Sequence, residues 1–434
     1  MTTHRTVTHP GKVLFPLVLG TALSLMGNAT LYVVLPTHTA EAGIALGVVG
    51  VLFSANRAIR LLLNGPVGLA YDRWPRRRLF LPALFIGVLS TVLYATTRGF
   101  WPLLAARLLW GTAWSAIWIG GTTIILDITT VQDRGRWVGL YQIGFFLGLA
   151  LGTFVGGLLT DRLGYHATMW VAATVAALGS LLTLFLLPET RAARSHRQSP
   201  AVKEIPLQWH TNRALRTVLL LQAINEFITN GVLSGTGALL VQDLLPSTNL
   251  ALGVATATGA LGAMRLLLAM ATAPLAGTLS DRLGKRWPVT LGGLATGIVS
   301  LVLVASRTPM VAFAGIVLGA LSGASVRTLL PALTGDLVSP AQRGRAIGVL
   351  NISGDLGNAA GPVVAYALLP WMGLSGVYLI CSGLYALGSM VTLGFVQARG
   401  NYLDNVKLNI CSMVLLSDAL AKLQAFYAVT VQQL

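Results

Sequence analysis

GLAYDRWPRRR, residues 68–78, sets an acid and four arginines between two long apolar runs, and GTLSDRLGKR, residues 277–286, sets an acid and three basic residues likewise in the second half of the chain. Such bursts stand out because only 10% of the 434 residues are charged, while 54% are hydrophobic and the mean hydropathy is +0.72. That balance is incompatible with an ordinary soluble domain and requires lipid. Working outward from the two bursts, apolar segments of roughly 18 to 28 residues recur, each long enough to cross a hydrocarbon core of about 30 Å as a helix. Twelve are expected: 14–36, 43–70, 79–97, 100–126, 136–160, 166–188, 215–241, 250–279, 287–306, 308–335, 345–369 and 373–397. They are too long and too uniformly apolar for barrel strands. An all-α polytopic membrane protein is therefore expected, because unpaired backbone groups are not tolerated in lipid.

A formal charge of +16 would suggest nucleic acid in a soluble protein, so its distribution decides the partner. Of the 30 Lys and Arg, with those at the very ends of spans counted with the adjoining loops, 22 fall on one side, three on the other (Arg98, Arg162, Arg307) and five inside. This asymmetry follows the positive-inside rule and is no nucleic-acid footprint; it puts residues 1–13, the interior linker 189–214 and both termini in the cytoplasm. The first span is too long for a signal-peptide core, and retention is expected. Cys381 and Cys411 support neither a disulfide framework nor a metal site. No G-x-x-x-x-G-K-[ST] loop occurs, so transport driven directly by ATP is not encoded, and no cofactor or enzymatic activity is expected.

One offset, 209 residues, relates Gly68 to Gly277, Asp72 to Asp281, Arg73 to Arg282, Asp127 to Asp336, and Gly139, Gly148 and Gly152 to Gly348, Gly357 and Gly361. A single register held so long implies two homologous six-helix bundles, 14–188 and 215–397. The pattern resembles the major facilitator superfamily over roughly residues 14–397. Its loop signature G-x-L-x-D-R-x-G-R-R is similar to Gly68, Asp72, Arg73, Arg76 and Arg77, with Pro75 in place of glycine, and again to Gly277, Asp281, Arg282, Gly284, Lys285 and Arg286. The resemblance implies two bundles rocking about a central site. In that frame Asp72 meets the N-terminus of the eleventh helix when the inner gate closes, and Asp281 meets that of the fifth. Arg73 and Arg76 pair with Asp127, and Arg282 and Lys285 with Asp336. These contacts form a latch confined to the outward-facing state. Read as topology determinants alone, the bursts would explain the cations and leave the acids unexplained.

The fifth span carries Gly139, Gly148, Gly152, Thr153, Gly156 and Gly157, similar to the antiporter signature G-x8-G-x3-G-P-x2-G-G except for its proline. The small residues are expected to let this helix slide on the eighth. Seven charged residues lie more than two positions inside the spans: Arg57, Arg60, Arg107, Glu226, Arg265, Arg327 and Asp355. Each arginine facing lipid would cost about 3 kcal/mol, on the order of 15 kcal/mol together, so they are expected to face an interior cavity. Helices 3, 6, 9 and 12, peripheral in the family, contain none. Arg57 sits about 22 Å above Asp72 at 1.5 Å per residue, and Arg57 or Arg60 is expected to pair with Asp355, and Glu226 with Arg265 or Arg327. Arg107 with Gly111 is similar to a helix-4 signature often assigned to proton transfer. Interior ion pairs can also serve only to hold helices in register.

Five cations against two acids leave a surplus that pairing cannot cancel, which points to a substrate bearing an anionic group. Trp110, Trp114 and Trp118 form a stripe on the fourth span, either packing or a wall for an apolar substrate body. Asn28, Asn225, Asn230 and Asn358 are candidate orienting groups. Glu226 and Asp355 are the interior carboxylates available to carry a proton as their arginine partners change; sodium coupling is the other option. Residues 398–434 fit neither bundle, being either an interfacial helix or poorly ordered. The sequence thus reads as a monomeric secondary transporter in contact with membrane lipid, exporting a small amphipathic or anionic solute with proton coupling. A lipid or lysolipid translocator is the second reading, and a transport-silent sensor, for which a long soluble appendage would be expected, the third.

Overall fold

The computed structural model describes residues 10–129, 133–190, 212–245, 253–339 and 342–431. Among them the chain is helical almost throughout. Six spans make up the first half: α1 (Pro10–Val34), α2 (Val49–Arg73), α3 (Arg76–Thr96), α4 (Phe100–Ile128), α5 (Arg134–Leu163) and α6 (Tyr165–Leu186). The second half begins with α7 (213–244), which is α-helical from Arg213 to Glu226, π-helical over Phe227–Val232 and α-helical again from Leu233 to Leu244. It continues with α8 (Val254–Leu283), α9 (Arg286–Ala305) and α10 (Pro309–Leu337). The last helical stretch, Arg343–Val431, is broken at Gly373, where φ is 62°, giving α11 (343–372) and α12 (374–431). Only glycine adopts that left-handed backbone at no steric cost, so the reversal between the last two spans is placed there. Of the segment read as a tail, 398–431 continues α12 as helix, while the linker 191–211 lies outside the described residues.

The glycines of α5 pack mainly on α1, which corrects the expectation that they face α8. A Cβ on Gly144 would run into Val18, on Gly148 into Ala22, on Gly152 into Ala29, and on Gly156 into Thr30. The second half repeats this between α11 and α7, where Gly357 lies against Ala223 and Gly361 against Gly231 and Phe227. In lipid there is no hydrophobic force between helices, so close backbone approach through small residues supplies the packing. Only Gly157 of α5 lies against α8, beside the Ala255 carbonyl, while Gly259 of α8 returns the contact at Thr153.

Those last contacts lie at one end of the molecule. There α2 also meets α11 closely, with Gly50 against the Pro362 carbonyl and Tyr366. At the other end, rich in arginine, Gly68, Gly139, Gly277 and Gly348 have no neighbour where a Cβ would stand. The two halves therefore close together at the end opposite the arginine bursts and part at the arginine-rich end.

Candidate substrate cavity and its gates

Between the halves lies a cavity of ≈ 180 Å³, lined by α1, α2, α5, α7, α8, α9 and α10. Arg57 of α2 and Arg265 of α8 both open onto it, one from each half, beside Asn28, Tyr32 and Asn230. Neither arginine has an acidic partner among the described residues. Arg57 Nε is buried with no hydrogen-bond acceptor among the described residues, and Arg265 Nη2 donates to a backbone carbonyl, that of Thr229, at 3.2 Å. The rest of the wall is largely aliphatic, with Leu233, Leu261 and Leu266 among its members.

Two ion pairs flank this cavity. Arg60 Nη2 lies 3.3 Å from Asp355 Oδ1, joining α2 to α11 across the halves. Arg327 Nε of α10 lies 3.2 Å from Glu226 Oε1 of α7. Asn230, one turn beyond Glu226, donates to its Oε2 at 2.6 Å while also lining the cavity, so Glu226 is one hydrogen bond from any occupant. The π-helical turn of α7 supplies the geometry. Its widened ring leaves the Thr229 carbonyl facing sideways, where Arg265 and the Ser234 hydroxyl donate to it, while Arg327 Nη2 reaches Thr229 Oγ1 at 3.4 Å. Single π turns inside α-helices recur at functional sites for this reason.

Arg107 is placed elsewhere than expected. It is fully buried inside the first half, where Nε donates to the Leu52 carbonyl at 3.0 Å, Nη1 to Asn28 Oδ1 at 2.8 Å and Nη2 to Tyr32 Oη at 3.2 Å. Its plane also lies over the Tyr32 and Phe53 rings. With no exposed face it cannot touch a solute; it holds α1, α2 and α4 together and presents Asn28 and Tyr32 to the cavity. The tryptophans are corrected likewise. Trp110, Trp114 and Trp118 stack on one another at 5.9 and 5.8 Å, and Trp114 and Trp118 pack against Phe145 of α5. Trp114 and Trp118 belong to a core cluster of the first half and are not cavity lining. Without Arg107, two arginines, Arg57 and Arg265, line the cavity, and since Arg60 and Arg327 are each paired with an acid, a formal surplus of two positive charges is left there.

At the arginine-rich end, Arg76 Nε donates to Asp127 Oδ2 at 2.8 Å. In the second half the pairing expected of Arg282 and Lys285 with Asp336 is made by Arg286, whose Nη1 lies 3.2 Å from Asp336 and whose Nη2 lies 3.6 Å from Asp281. The reason is a shift of one residue in the helix start. Gly284 adopts a left-handed cap, φ 61°, so α9 begins at Arg286, whereas α3 begins at Arg76 straight after Pro75. The first helical residue is the one that reaches the acid in both halves. These pairs lie within single halves and are present with this end open, so they are not part of a state-dependent latch. Asp281, expected to meet the start of α5, here lies beside Arg286 of its own half.

The other end is closed by a residue that sequence reasoning missed. Asp161, at the end of α5, accepts from the backbone N–H of Thr256 at 2.7 Å, from its hydroxyl at 2.6 Å and from the N–H of Ala255 at 3.3 Å. It thus caps the N-terminus of α8 from the other half of the molecule. The available signal was an asymmetry: the residue 209 further on is Pro370, so the repeat has no second copy of this acid. Glu189 was also passed over. Placed just after α6, it caps α3, accepting from the N–H groups of Arg76 and Arg77 at 3.0 and 3.1 Å.

Two homologous six-helix halves around a shared cavity fit the profile of the Major Facilitator Superfamily, which matches residues 17–255 and 227–405. The chain belongs to the major facilitator superfamily. It is an integral membrane protein and a transporter of small molecules. Within the superfamily it is 26% identical over 346 residues to the class C tetracycline resistance protein of Escherichia coli, covering 76% of this chain and 85% of that protein. It is 23% identical over 355 residues to the multidrug resistance protein MdtG of Salmonella arizonae, covering 81% of this chain and 85% of the relative. The superfamily fold is matched by the crystal structure of a bacterial homologue of the human lysosomal transporter Spinster, inward-facing and occupied. The TM-score is 0.74 at 17% identity, over 91% of this chain and 98% of that one.

Proposed function

We propose that the chain is a secondary transporter exporting a small amphipathic or anionic solute across the cytoplasmic membrane by alternating access, with a proton moving the opposite way. The observation that carries this reading is the pair Arg57 and Arg265, which open onto one cavity from the two halves without an acid between them. A desolvated cation left unpaired is expensive, and an anionic group on the solute offsets that cost in whichever state holds both arginines near it. The aliphatic wall suits an apolar body attached to that group. Relatives named for tetracycline and multidrug resistance favour export over import.

Glu226 and Asp355 are the proton carriers in this reading. Each carboxylate is held by one arginine, and Asp355 is held across the halves, so rocking must alter its partner. Losing an arginine partner raises the affinity of a buried carboxylate for a proton. For Glu226 the link to the solute runs through Asn230. The arginine-rich end is cytoplasmic by the positive-inside rule, and with that orientation the present structure is inward-facing. A lipid translocator is the weaker reading, since Trp114 and Trp118 pack in the core of the first half and do not line the cavity.

Uptake into inverted vesicles under an imposed pH gradient, screened over anionic, neutral and cationic compounds, tests both parts. Anionic or zwitterionic compounds are expected to accumulate with the gradient. Transport confined to cations overturns the charge argument, and indifference to the gradient overturns proton coupling. Asp355→Asn and Glu226→Gln are expected to abolish gradient-driven accumulation while leaving exchange measurable.

A further inference from the structure

A groove of ≈ 970 Å³ lies on the outer face of the first half, away from the cavity between the halves. Its mouth is formed by Pro75, Arg77 and Arg78 at the start of α3, and its floor by Leu81, Phe85 and Leu89 further along the same helix, with Leu184 of α6 as the far wall. Leu81, Phe85 and Leu89 are spaced by four residues and so form one stripe about 12 Å long, running from the arginines toward the middle of the membrane. Phe85 and Leu89 are exposed, at 37% and 50%. In a membrane protein a peripheral apolar stripe of this kind is covered by an acyl chain.

The charge at the mouth selects the headgroup. Arg78 is exposed and has no ion pair or hydrogen bond among the described residues. Arg77 is held in place by a hydrogen bond from Nη2 to the Leu184 carbonyl, and its Nε is buried without an acceptor. The nearby acid does not cancel them. Glu189, which also lines the groove, accepts from the N–H groups of Arg76, Arg77 and Thr190 and meets the positive end of α3, so the mouth holds two guanidinium groups against one carboxylate. Arg76 is likewise occupied with Asp127. A net positive charge therefore remains at the headgroup level, at the top of an apolar stripe about 12 Å long.

We propose that this groove is a binding site for one anionic phospholipid, its phosphate between Arg77 and Arg78 and one acyl chain along Leu81, Phe85 and Leu89. Because α3 begins at the groove and Arg76 beside it carries the Asp127 pair, the bound lipid braces the arginine-rich end of the first half.

The test is lipid retention by the purified full-length chain in mild detergent, read by native mass spectrometry. Phosphatidylglycerol and phosphatidylcholine with identical acyl chains are the probes. The wild type is expected to retain phosphatidylglycerol in preference. Arg78→Gln, which removes no protein contact, is expected to lower that retention about fivefold, the usual effect of one basic residue at an anionic lipid surface. Arg77→Lys keeps the charge and is expected to lose less than Arg78→Gln. Arg213→Gln, an exposed arginine at the start of α7, is the control and is expected to change nothing. Equal retention of the two lipids overturns the proposal, as does an equal loss in Arg213→Gln, which would mean bulk attraction. Displacement of the lipid by millimolar glycerol 3-phosphate also overturns it, since the occupant would then be a soluble phosphate.

Discussion

The residues that carry charge into this membrane divide into those that are saturated and those that are not, and the division assigns their roles. Arg57 and Arg265 are unsaturated and face the cavity. A hydrogen bond to a charged group contributes about 1.5 to 3 kcal/mol, so Arg57→Gln or Arg265→Gln is expected to weaken binding of an anionic solute about 10- to 100-fold. The apparent KM of vesicle uptake measures this, and neutral substrates are expected to be little affected. Arg107 is the saturated case, with its three nitrogens donating to Leu52, Asn28 and Tyr32 in a fully buried site. Replacing it by methionine leaves those acceptors buried and unpaired at about 1 to 3 kcal/mol each. Arg107→Met is therefore expected to lower the melting temperature and the yield of folded protein. A variant that folds with wild-type stability but loses only substrate affinity would return Arg107 to the cavity. The sequence pointed all five membrane arginines at one interior cavity, whereas the structure lines it with Arg57 and Arg265 and buries Arg107 inside the first half. Sequence could not separate Arg107 from Arg57, because the difference lies in remote acceptors, two of them a tyrosine hydroxyl and a backbone carbonyl that no spacing rule reveals.

Helix ends do much of the long-range work, and acids supply it from a distance. Glu41 accepts from the first N–H of α6, Glu189 from those of α3 and Asp161 from those of α8. A carboxylate placed there satisfies donors that the helix itself leaves open and meets the positive end of its dipole. Glu41 and Glu189 cap helices of their own half and are in place whichever way the halves tilt. Asp161 joins the two halves, so its three hydrogen bonds must break before the far end can open. Asp161→Asn keeps the shape but removes the charge, and is expected to weaken that closure by about 1 to 2 kcal/mol, a 5- to 30-fold shift in the conformational equilibrium. The check is a cysteine at Thr258, which lines the cavity. An impermeant thiol reagent applied from the side opposite the arginine bursts is expected to modify it faster in the Asp161→Asn background. Unchanged reactivity would mean that the backbone contacts of Gly157 and Gly259 hold that end alone. The spans themselves were legible because hydropathy and length determine them. The caps were not, since each joins residues more than 90 positions apart, and the π turn at Phe227–Val232 carries no signature beyond an ordinary FITNGV.

On the scale of the whole molecule the internal repeat is more regular than the 209-residue offset suggests. Ala22 faces Gly148 as Ala223 faces Gly357, and Met26 faces Gly152 as Phe227 faces Gly361, so the first and seventh helices are related by 201 residues. That second register was hidden, because these two helices share no glycine or charge pattern that marks it, whereas the bursts at 68–78 and 277–286 mark theirs plainly. The bursts were legible as the links between consecutive spans at one end of the molecule, and Arg76 pairs with Asp127 as expected, while in the second half the pairing moved to Arg286 through the one-residue difference in where α3 and α9 begin. What they do in the other state remains a consequence of geometry. In the proposed rocking cycle, opening of the far end brings together the arginine-rich ends of α2 and α11, and of α5 and α8, with Asp72 moving toward the start of α11 and Asp281 toward that of α5. An acid at a helix N-terminus contributes about 0.3 to 1 kcal/mol when exposed and about 2 kcal/mol when partly buried. Asp72→Asn is then expected to shift the population toward the present state by about two- to fivefold. Gly348 reports on it, because a Cβ there meets open space near the start of α11 only while this end is parted. In a chain carrying Gly348→Cys, modification from the arginine-rich side is expected to speed up with Asp72→Asn and to slow down with Asp161→Asn, as the two ends compete for one motion. Matching rates in all three chains would mean that the ends open independently, which a transporter with two halves rocking about one cavity cannot do.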